Sequence, residues 1–144
     1  KAVALLIAKE TELGLDRTKT FDAFRQNCEA SRDQLIAVLN DLRERGAKVA
    51  GYGATSKSTT VINYCGITAK HIAFISDTTP TKQGKSSPCA HVPIRPYEDF
   101  VADHPHYTVV FTWNHIQEIM EKEQAYKAAG GKWINFVPKV DIQE

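Results

Sequence analysis

The 144-residue chain is long enough to bury one hydrophobic core, and its 42% apolar content fits a single globular domain. Its 18 basic and 17 acidic side chains leave a formal net charge of +1, so no broad basic surface for nucleic acid is expected. Three widely spaced cysteines, with no CxxC pair and no histidine pair at zinc-ligand spacing, predict reduced thiols and no metal site.

The chain opens with the short apolar segment KAVALLIAKE. This segment is far shorter than the roughly 20 residues needed to span a bilayer, and no small-residue cleavage site follows it. We therefore expect no membrane anchor and, given the reduced thiols, a cytoplasmic protein. Because the chain lacks an initiator methionine and already starts with a helical pattern, we expect it to be a fragment of a longer protein.

Residues 1–46 predict an N-terminal helical segment that packs on the rest of the domain. Thr18 and Thr20 are both suitable helix caps, and apolar or small residues then recur on one face of a long helix. Gly46 ends this helix because it tolerates a left-handed backbone. The face consists of Phe21, Phe24, Cys28, Ser31, Leu35, Val38 and Leu42.

Residues 47–144 predict an α/β domain, because short apolar runs alternate with helical patterns. The expected strands are KVAGYG, HIAFISD, YTVVFTW and KWINFVP, with helices at 56–65 and 115–129. The runs AFIS and TVVF lack polar alternation, which is typical of strands covered by helices on both faces. We therefore expect a Rossmann-like, doubly wound, mostly parallel sheet of four or five strands. The irregular segment 77–96 is a long loop of the kind that often carries function.

The sequence GYGATSKS at 51–58 joins the first strand to the next helix. Ligands of open parallel sheets bind beyond the carboxyl ends of the strands, where this turn lies. Glycine lets a phosphate approach the backbone, and the free N–H groups of the first helical turn stabilise its charge. Thr55, Ser56 and Ser58 add hydroxyl donors, and Lys57 adds a positive charge. A tight turn with Ser56 as the N-cap explains the residues equally well, because a lone GxG is weak evidence.

Asp77 ends the second strand, 26 residues after Gly51, near the spacing at which a dinucleotide fold places an acid on a ribose hydroxyl. A turn before TTP is an equally good reason for an aspartate there. The ligand interpretation is slightly favoured because residues 82–85, KQGK, follow in the same loop and suit an anionic group.

The sequence WNH at 113–115 ends the next strand at the same edge of the sheet. Trp113 suits stacking on a base or sugar, and it suits filling space between domains equally well. Asn114 and Gln117 together form a capping arrangement. His115 is expected to be a surface residue at the helix start.

Five blocks of the sequence together resemble a known family. They are VAGYGATSKSTTVINYCGI (49–67), FISDTTPTKQGK (74–85), HVPI (91–94), WNHIQEI (113–119) and GGKWINFVP (130–138). In this order they resemble the C-terminal domain of S-adenosylmethionine-dependent sugar C-methyltransferases, enzymes that act on nucleotide-linked deoxy-keto-sugars. One departure is PCAH at 88–91, where relatives commonly carry PGTH, and it affects the turn geometry of that loop.

The resemblance implies that a zinc-binding module and a methyltransferase domain precede this chain, with S-adenosylmethionine and the acid-base residues in the methyltransferase domain. The nucleotide-sugar would lie between that domain and this one. No catalytic residue and no metal ligand are expected here, so the fragment alone would bind and not turn over. The residues implied for the substrate site are Gly51, Tyr52, Gly53, Ala54, Thr55, Ser56, Lys57, Ser58, Asp77, Lys82, Gly84, Lys85, Trp113 and Asn114.

Two other functions stay open from the residues alone. A dinucleotide-binding domain of an NAD(P)-dependent oxidoreductase is favoured by Asp77 and disfavoured by Ser56, which stands where a third glycine would be. The second open function is a non-catalytic module that docks on a catalytic partner through the helix faces at 2–46.

Overall fold

The computed structural model describes residues 1–144 and has a single six-stranded sheet. The confirmed expectation is a mixed α/β fold with a mostly parallel sheet. The elements are α1 (Ala2–Glu12), α2 (Thr18–Glu44), β1 (Val49–Tyr52), α3 (Ser56–Cys65), β2 (Ile75–Ser76), β3 (Ile94–Arg95), α4 (Tyr97–Ala102), β4 (Tyr107–Val110), a 3₁₀ turn (Trp113–His115), α5 (Ile116–Lys122), α6 (Gln124–Ala128), β5 (Lys132–Asn135) and β6 (Asp141–Gln143).

The strand order across the sheet is β3-β2-β1-β4-β5-β6. The first five strands are parallel, and β6 pairs antiparallel with β5. The chain runs outward from β1 through β2 to β3 and then crosses to the other side of β1 to form β4. The strand order therefore reverses between β1 and β4, and the carboxyl ends of β1, β2 and β4 meet at one edge of the sheet.

The sheet has six strands where four or five were expected, and the two strands missed are short. Strand β3 has two residues and lies inside 77–96, the segment expected to be irregular. Strand β6 has three residues, DIQ, which carry no apolar run. Neither strand is long enough to show a periodic apolar pattern in the sequence. Each is recognised only by its hydrogen bonds to a neighbouring strand. The helix expected at 115–129 is likewise broken, because Glu123 has non-helical backbone angles between α5 and α6.

Two hydrophobic clusters lie on opposite faces of the sheet, because successive strand residues point to opposite sides. In β1, Val49 joins the cluster under α2 and α3, whereas Ala50 joins the cluster under α4, α5 and α6. The first cluster also contains Leu35, Leu39, Leu42, Ile62, Val109 and Phe111. The second also contains Phe74, Phe100, Val110, Ile119, Tyr126 and Trp133.

Only the last part of α2 packs on the sheet. The buried residues of α2 are Leu35, Leu39 and Leu42, and α1 buries none. Phe21 and Phe24, expected on the packed face, are 56% and 68% exposed. Thr18 and Thr20 do not cap the helix either, since its N-cap is Arg17 without a side-chain hydrogen bond. No helix of the chain combines the length and the apolar character that a membrane span requires.

Candidate functional site

A cleft of about 470 Å³ opens at the carboxyl edge of the sheet. It lies where the strand order reverses, between the segments that follow β1, β2 and β4, and α4 and α5 close its far side. Its lining residues are Tyr52, Gly53, Thr55, Ser76, Asp77, Thr78, Thr79, Lys82, Tyr97, Thr112, His115, Glu118, Ile119 and Lys122. Five of the fourteen residues implied for the substrate site are among them: Tyr52, Gly53, Thr55, Asp77 and Lys82.

Gly51 in β1 and Gly53 in the β1–α3 turn are both required by close contacts. A Cβ on Gly51 would lie 2.6 Å from Cε2 of Phe111, so this glycine lets neighbouring strands pack. Gly53 has φ of +88°, and a Cβ there would lie 2.7 Å from Cγ2 of Thr112. Gly53 therefore lets the turns after β1 and β4 approach each other at the floor of the cleft.

Helix α3 begins with a capping box. The Ser58 amide donates to Oγ1 of Thr55 at 3.2 Å, and the Thr55 amide donates to Oγ of Ser58 at 2.9 Å. The N-cap is thus Thr55, one residue before the Ser56 that the sequence indicated. The hydroxyl of Ser58 is buried and committed to this box, so it fixes the start of the helix.

Few backbone amides of the turn remain free for a ligand. The Gly53 amide donates to the carbonyl of Ser76 at 2.9 Å, and the Ala54 amide donates to Oδ2 of Asp77 at 2.8 Å. The amides in the capping box are also used. Only Ser56 and Lys57 keep N–H groups without a partner in the chain. An anion at this helix start would therefore meet two amides and the positive end of the helix dipole.

Asp77 connects the β1–α3 turn to the loop that follows β2, and its side chain is only 8% exposed. Its Oδ1 accepts from the Thr79 amide at 2.8 Å, and its Oδ2 accepts from the Ala54 amide and from Nζ of Lys82 at 3.2 Å. Burial raises the pKa of this carboxyl, but the hydrogen bonds from Thr79, Ala54 and Lys82 outweigh it, so the pKa is lowered. Most of its acceptor capacity is therefore used inside the chain.

Three further residues implied for the site meet at the rim of the cleft. The Lys57 ammonium donates to Oδ1 of Asn114 at 2.6 Å and lies 4.9 Å from the centre of the Trp113 ring. Trp113 also has a structural role, because its ring packs against Phe136 with ring centres 5.3 Å apart. Asn114 does not cap α5, whose N-cap is His115 without a side-chain hydrogen bond. The contact ties the turn after β1 to the turn after β4.

Gly84 and Lys85 lie outside the cleft. Both are exposed and form a turn against β3, in which the Gly84 amide donates to the Ile94 carbonyl at 3.0 Å and the Ile94 amide donates to the Lys85 carbonyl at 2.7 Å. Gly84 has φ of +74°, which favours glycine at this turn. Of the KQGK sequence, only Lys82 reaches the cleft lining.

The far wall of the cleft holds a buried carboxylate that the sequence did not reveal. Glu123 is 3% exposed, and its two oxygens accept from the hydroxyls of Tyr52 at 2.7 Å and Tyr97 at 2.8 Å. Nζ of Lys122 lies 3.5 Å from Oε1 of Glu123 and 4.4 Å from the centre of the Tyr97 ring. Burial and the bond to Glu123 raise the pKa of Tyr97 to about 12, and they raise that of Tyr52 further still.

The sequence of the chain matches a known family of protein domains. The family model of the C-methyltransferase C-terminal domain matches residues 1–138. The chain belongs to this family. The resemblance seen in the five sequence blocks is thereby confirmed.

A curated relative agrees with this assignment. The C-methyltransferase NovU of Streptomyces niveus is 33% identical to the chain over 138 residues, which cover 96% of the chain and 33% of NovU. The chain thus spans about a third of the length of this relative.

Proposed function

We propose that this chain is the substrate-holding C-terminal domain of an S-adenosylmethionine-dependent C-methyltransferase that acts on a nucleotide-linked deoxy-keto-sugar. In this proposal the cleft at the carboxyl edge of the sheet binds the nucleotide diphosphate. A methyltransferase domain earlier in the same polypeptide supplies the catalytic residues, and the enzyme works in the cytoplasm.

The position of the cleft is the observation that carries the proposal. In open α/β sheets with a doubly wound, Rossmann-like order, ligands bind in the crevice outside the carboxyl ends of the strands, where the strand order reverses. The present cleft lies between the segments that follow β1, β2 and β4, at that reversal. It is therefore the place where this architecture favours a phosphate-bearing ligand.

The polar lining supports an anionic ligand. Lys82 and Lys122 reach the cleft, and an ammonium group has three donors, more than their partners in the chain require. Glu118 lies at the rim with a side chain 81% exposed, so solvent screens its charge. The free amides of Ser56 and Lys57 are a second source of donors, at the start of α3.

Such a domain would contribute alignment to the reaction. C-methylation requires removal of a proton next to the sugar ketone, and the resulting enolate must meet the methyl donor in line. S-adenosylmethionine supplies that methyl group as a sulfonium cation. Lys82 and Lys122 are accompanied in the lining by the carboxylates of Asp77 and Glu118, so the lining carries no net charge to repel this cation. We assign S-adenosylmethionine to the preceding domain because the family resemblance implies its site there.

The residues present also do not fit a zinc site. No three side chains among His, Cys, Asp and Glu are grouped so that they could hold a metal ion. We assign the zinc of the family to the module before the methyltransferase domain.

The geometry gives less support to an NAD(P)-binding domain. That function would use the acid after β2 to accept hydrogen bonds from a ribose. Asp77 occupies this position, but it already accepts from two amides and from Lys82. A ribose would have to displace one of these donors or use the small capacity that remains.

Titration calorimetry on the chain tests the proposal. Deoxythymidine diphosphate, nicotinamide adenine dinucleotide and S-adenosylmethionine are offered separately, and saturable binding of the first alone is expected. Replacing Lys82 by Ala should weaken that binding about tenfold, because a charge-assisted hydrogen bond is lost. Lys85→Ala is the matched control in the same loop and should have no effect. Binding of the nicotinamide dinucleotide alone would reject the proposal, and binding of none would favour a docking module.

A further inference from the structure

The first two turns of helix α1 are apolar around their circumference, and no residue of the helix is buried. Its first seven residues, AVALLIA, contain no polar side chain, so no face of these turns suits water. Its four large apolar side chains are between 57% and 72% exposed; they are Val3, Leu5, Leu6 and Ile7. A helix that is hydrophobic all round is normally enclosed by other parts of a protein.

The exposed apolar surface continues beyond α1. Leu13, Leu15, Phe21 and Phe24 are also exposed, and we call residues 2–24 the apolar arm. The arm holds eight of the twelve exposed large apolar side chains of the chain. Scattered exposed apolar residues are normal, but a concentration of this kind marks an interaction surface.

We propose that the apolar arm docks into a groove of the methyltransferase domain that precedes this chain in the full-length enzyme. The matched family is a C-terminal domain, and the chain covers 33% of the length of NovU, so about two thirds of such a protein lies outside the matched part. The arm is the segment that lies nearest to that part along the polypeptide. This inference rests on the proposed function only for the presence of the preceding domain.

The arm has the wrong character for a membrane. Its 11-residue helix is about half the roughly 20 residues that a span requires. A helix that lies in the membrane interface carries a strongly charged face along its length, whereas the charges of α1 are confined to its last turn, at Lys9, Glu10 and Glu12. Because the first two turns have no polar side, we expect a protein groove that contacts them from several directions.

Hydrogen–deuterium exchange on the full-length enzyme without nucleotide tests the docking. The amides of α1 should exchange roughly tenfold or more slowly in the wild type than in the double variant Leu5→Glu/Ile7→Glu. The matched control is Val101→Glu, which alters an apolar side chain that is 45% exposed outside the arm. It should leave α1 as protected as in the wild type. Exchange in the core strand β4 reports whether each variant is folded.

The outcomes distinguish the possible binding partners of the arm. Equally fast exchange of α1 in the wild type and in Leu5→Glu/Ile7→Glu would overturn the docking. Protection that depends on protein concentration, with a dimer in sedimentation, would overturn it in favour of a second copy. If the double variant is insoluble, Leu5→Ala/Ile7→Ala replaces it, with roughly threefold faster exchange than the wild type expected. Because no nucleotide is present, protected α1 amides together with a failed nucleotide titration would reject the substrate assignment alone.

Discussion

The two walls of the cleft each contain a buried carboxylate, and they hold it in different ways. Asp77 is fixed mainly by backbone amides, one of them only two residues away, with Lys82 as a side-chain partner. Glu123 is fixed by the hydroxyls of Tyr52 and Tyr97, which are 71 and 26 residues away in sequence. Two of the three partners of Asp77 lie within five residues of it, and only the Ala54 amide, 23 residues away, comes from another segment. The Asp77 wall is therefore mainly a local turn, whereas the Glu123 wall exists only when distant elements have assembled.

The largest expected effect is at the long-range wall. Replacing Glu123 by Ala should lower the free energy of unfolding by about 3 kcal/mol, because the hydroxyls of two half-buried tyrosines lose their buried acceptor. Glu123→Gln should cost less, since the amide keeps the shape and can still bond one hydroxyl. Urea unfolding measures both variants. Glu121→Ala, at an exposed position of the same segment, is the control. A Glu123→Ala variant as stable as Glu121→Ala would show that the wall does not hold the fold.

The local wall should show a smaller effect that depends on pH. Replacing Asp77 by Asn should cost about 1–2 kcal/mol at neutral pH, because one charged acceptor of several hydrogen bonds is lost. The pKa of Asp77 is lowered in the folded chain from its ordinary 3.8, so its contribution is present above pH 3.8 and disappears as the pH falls through the folded value. Unfolding free energies measured from neutral to acidic pH should therefore converge for the wild type and Asp77→Asn. Parallel curves would contradict this role.

Tyr97 is expected to matter less than the carboxylate that it binds. Tyr97→Phe removes one hydrogen bond to Glu123 and should cost about 1 kcal/mol at neutral pH. Folding raises the pKa of Tyr97 from 10.0 to about 12, so its stabilising contribution is complete below pH 10 and is lost as the pH rises towards 12. The difference between wild type and Tyr97→Phe should shrink over that range. Tyr64→Phe, at an exposed tyrosine, is the control. Equal pH curves for both variants would show that the hydrogen bond from Tyr97 to Glu123 does not stabilise the fold.

The sequence predicted the parts of the site that depend on local chain geometry. The β1–α3 turn and Asp77 follow strands long enough or apolar enough to be seen in sequence, so the edge of the sheet at which they lie was expected. Glu123 sits in a polar stretch, and no pattern marks it, because its partners come from β1 and α4. Strands β3 and β6 were not predicted for the same reason, since they are defined by pairing with neighbouring strands rather than by their own residues.

The packing of α2 shows that an apolar pattern can be read correctly from the sequence while its partner is not. Its apolar periodicity extends over the whole helix, but only the last part finds a partner in the chain, where Leu35, Leu39 and Leu42 are buried. A periodic pattern reports that a face is meant to be covered, and it does not say by what. Phe21 and Phe24 belong to the same pattern and are exposed. This is the physical reason why we assign them to an interface with the preceding domain.

The smallest expected effect lies at the rim, where Lys57 joins the turns after β1 and β4. Lys57→Ala should lower the free energy of unfolding by about 0.5 kcal/mol, because both the bond to Asn114 and the contact with Trp113 are open to solvent screening. Lys70→Ala, at an exposed lysine, gives the baseline in the same urea titrations. If instead Lys57→Ala costs as much as Asp77→Asn, the rim contact is part of the framework that holds the cleft open. A near-baseline result would leave Lys57 free to turn from Asn114 towards an anionic ligand.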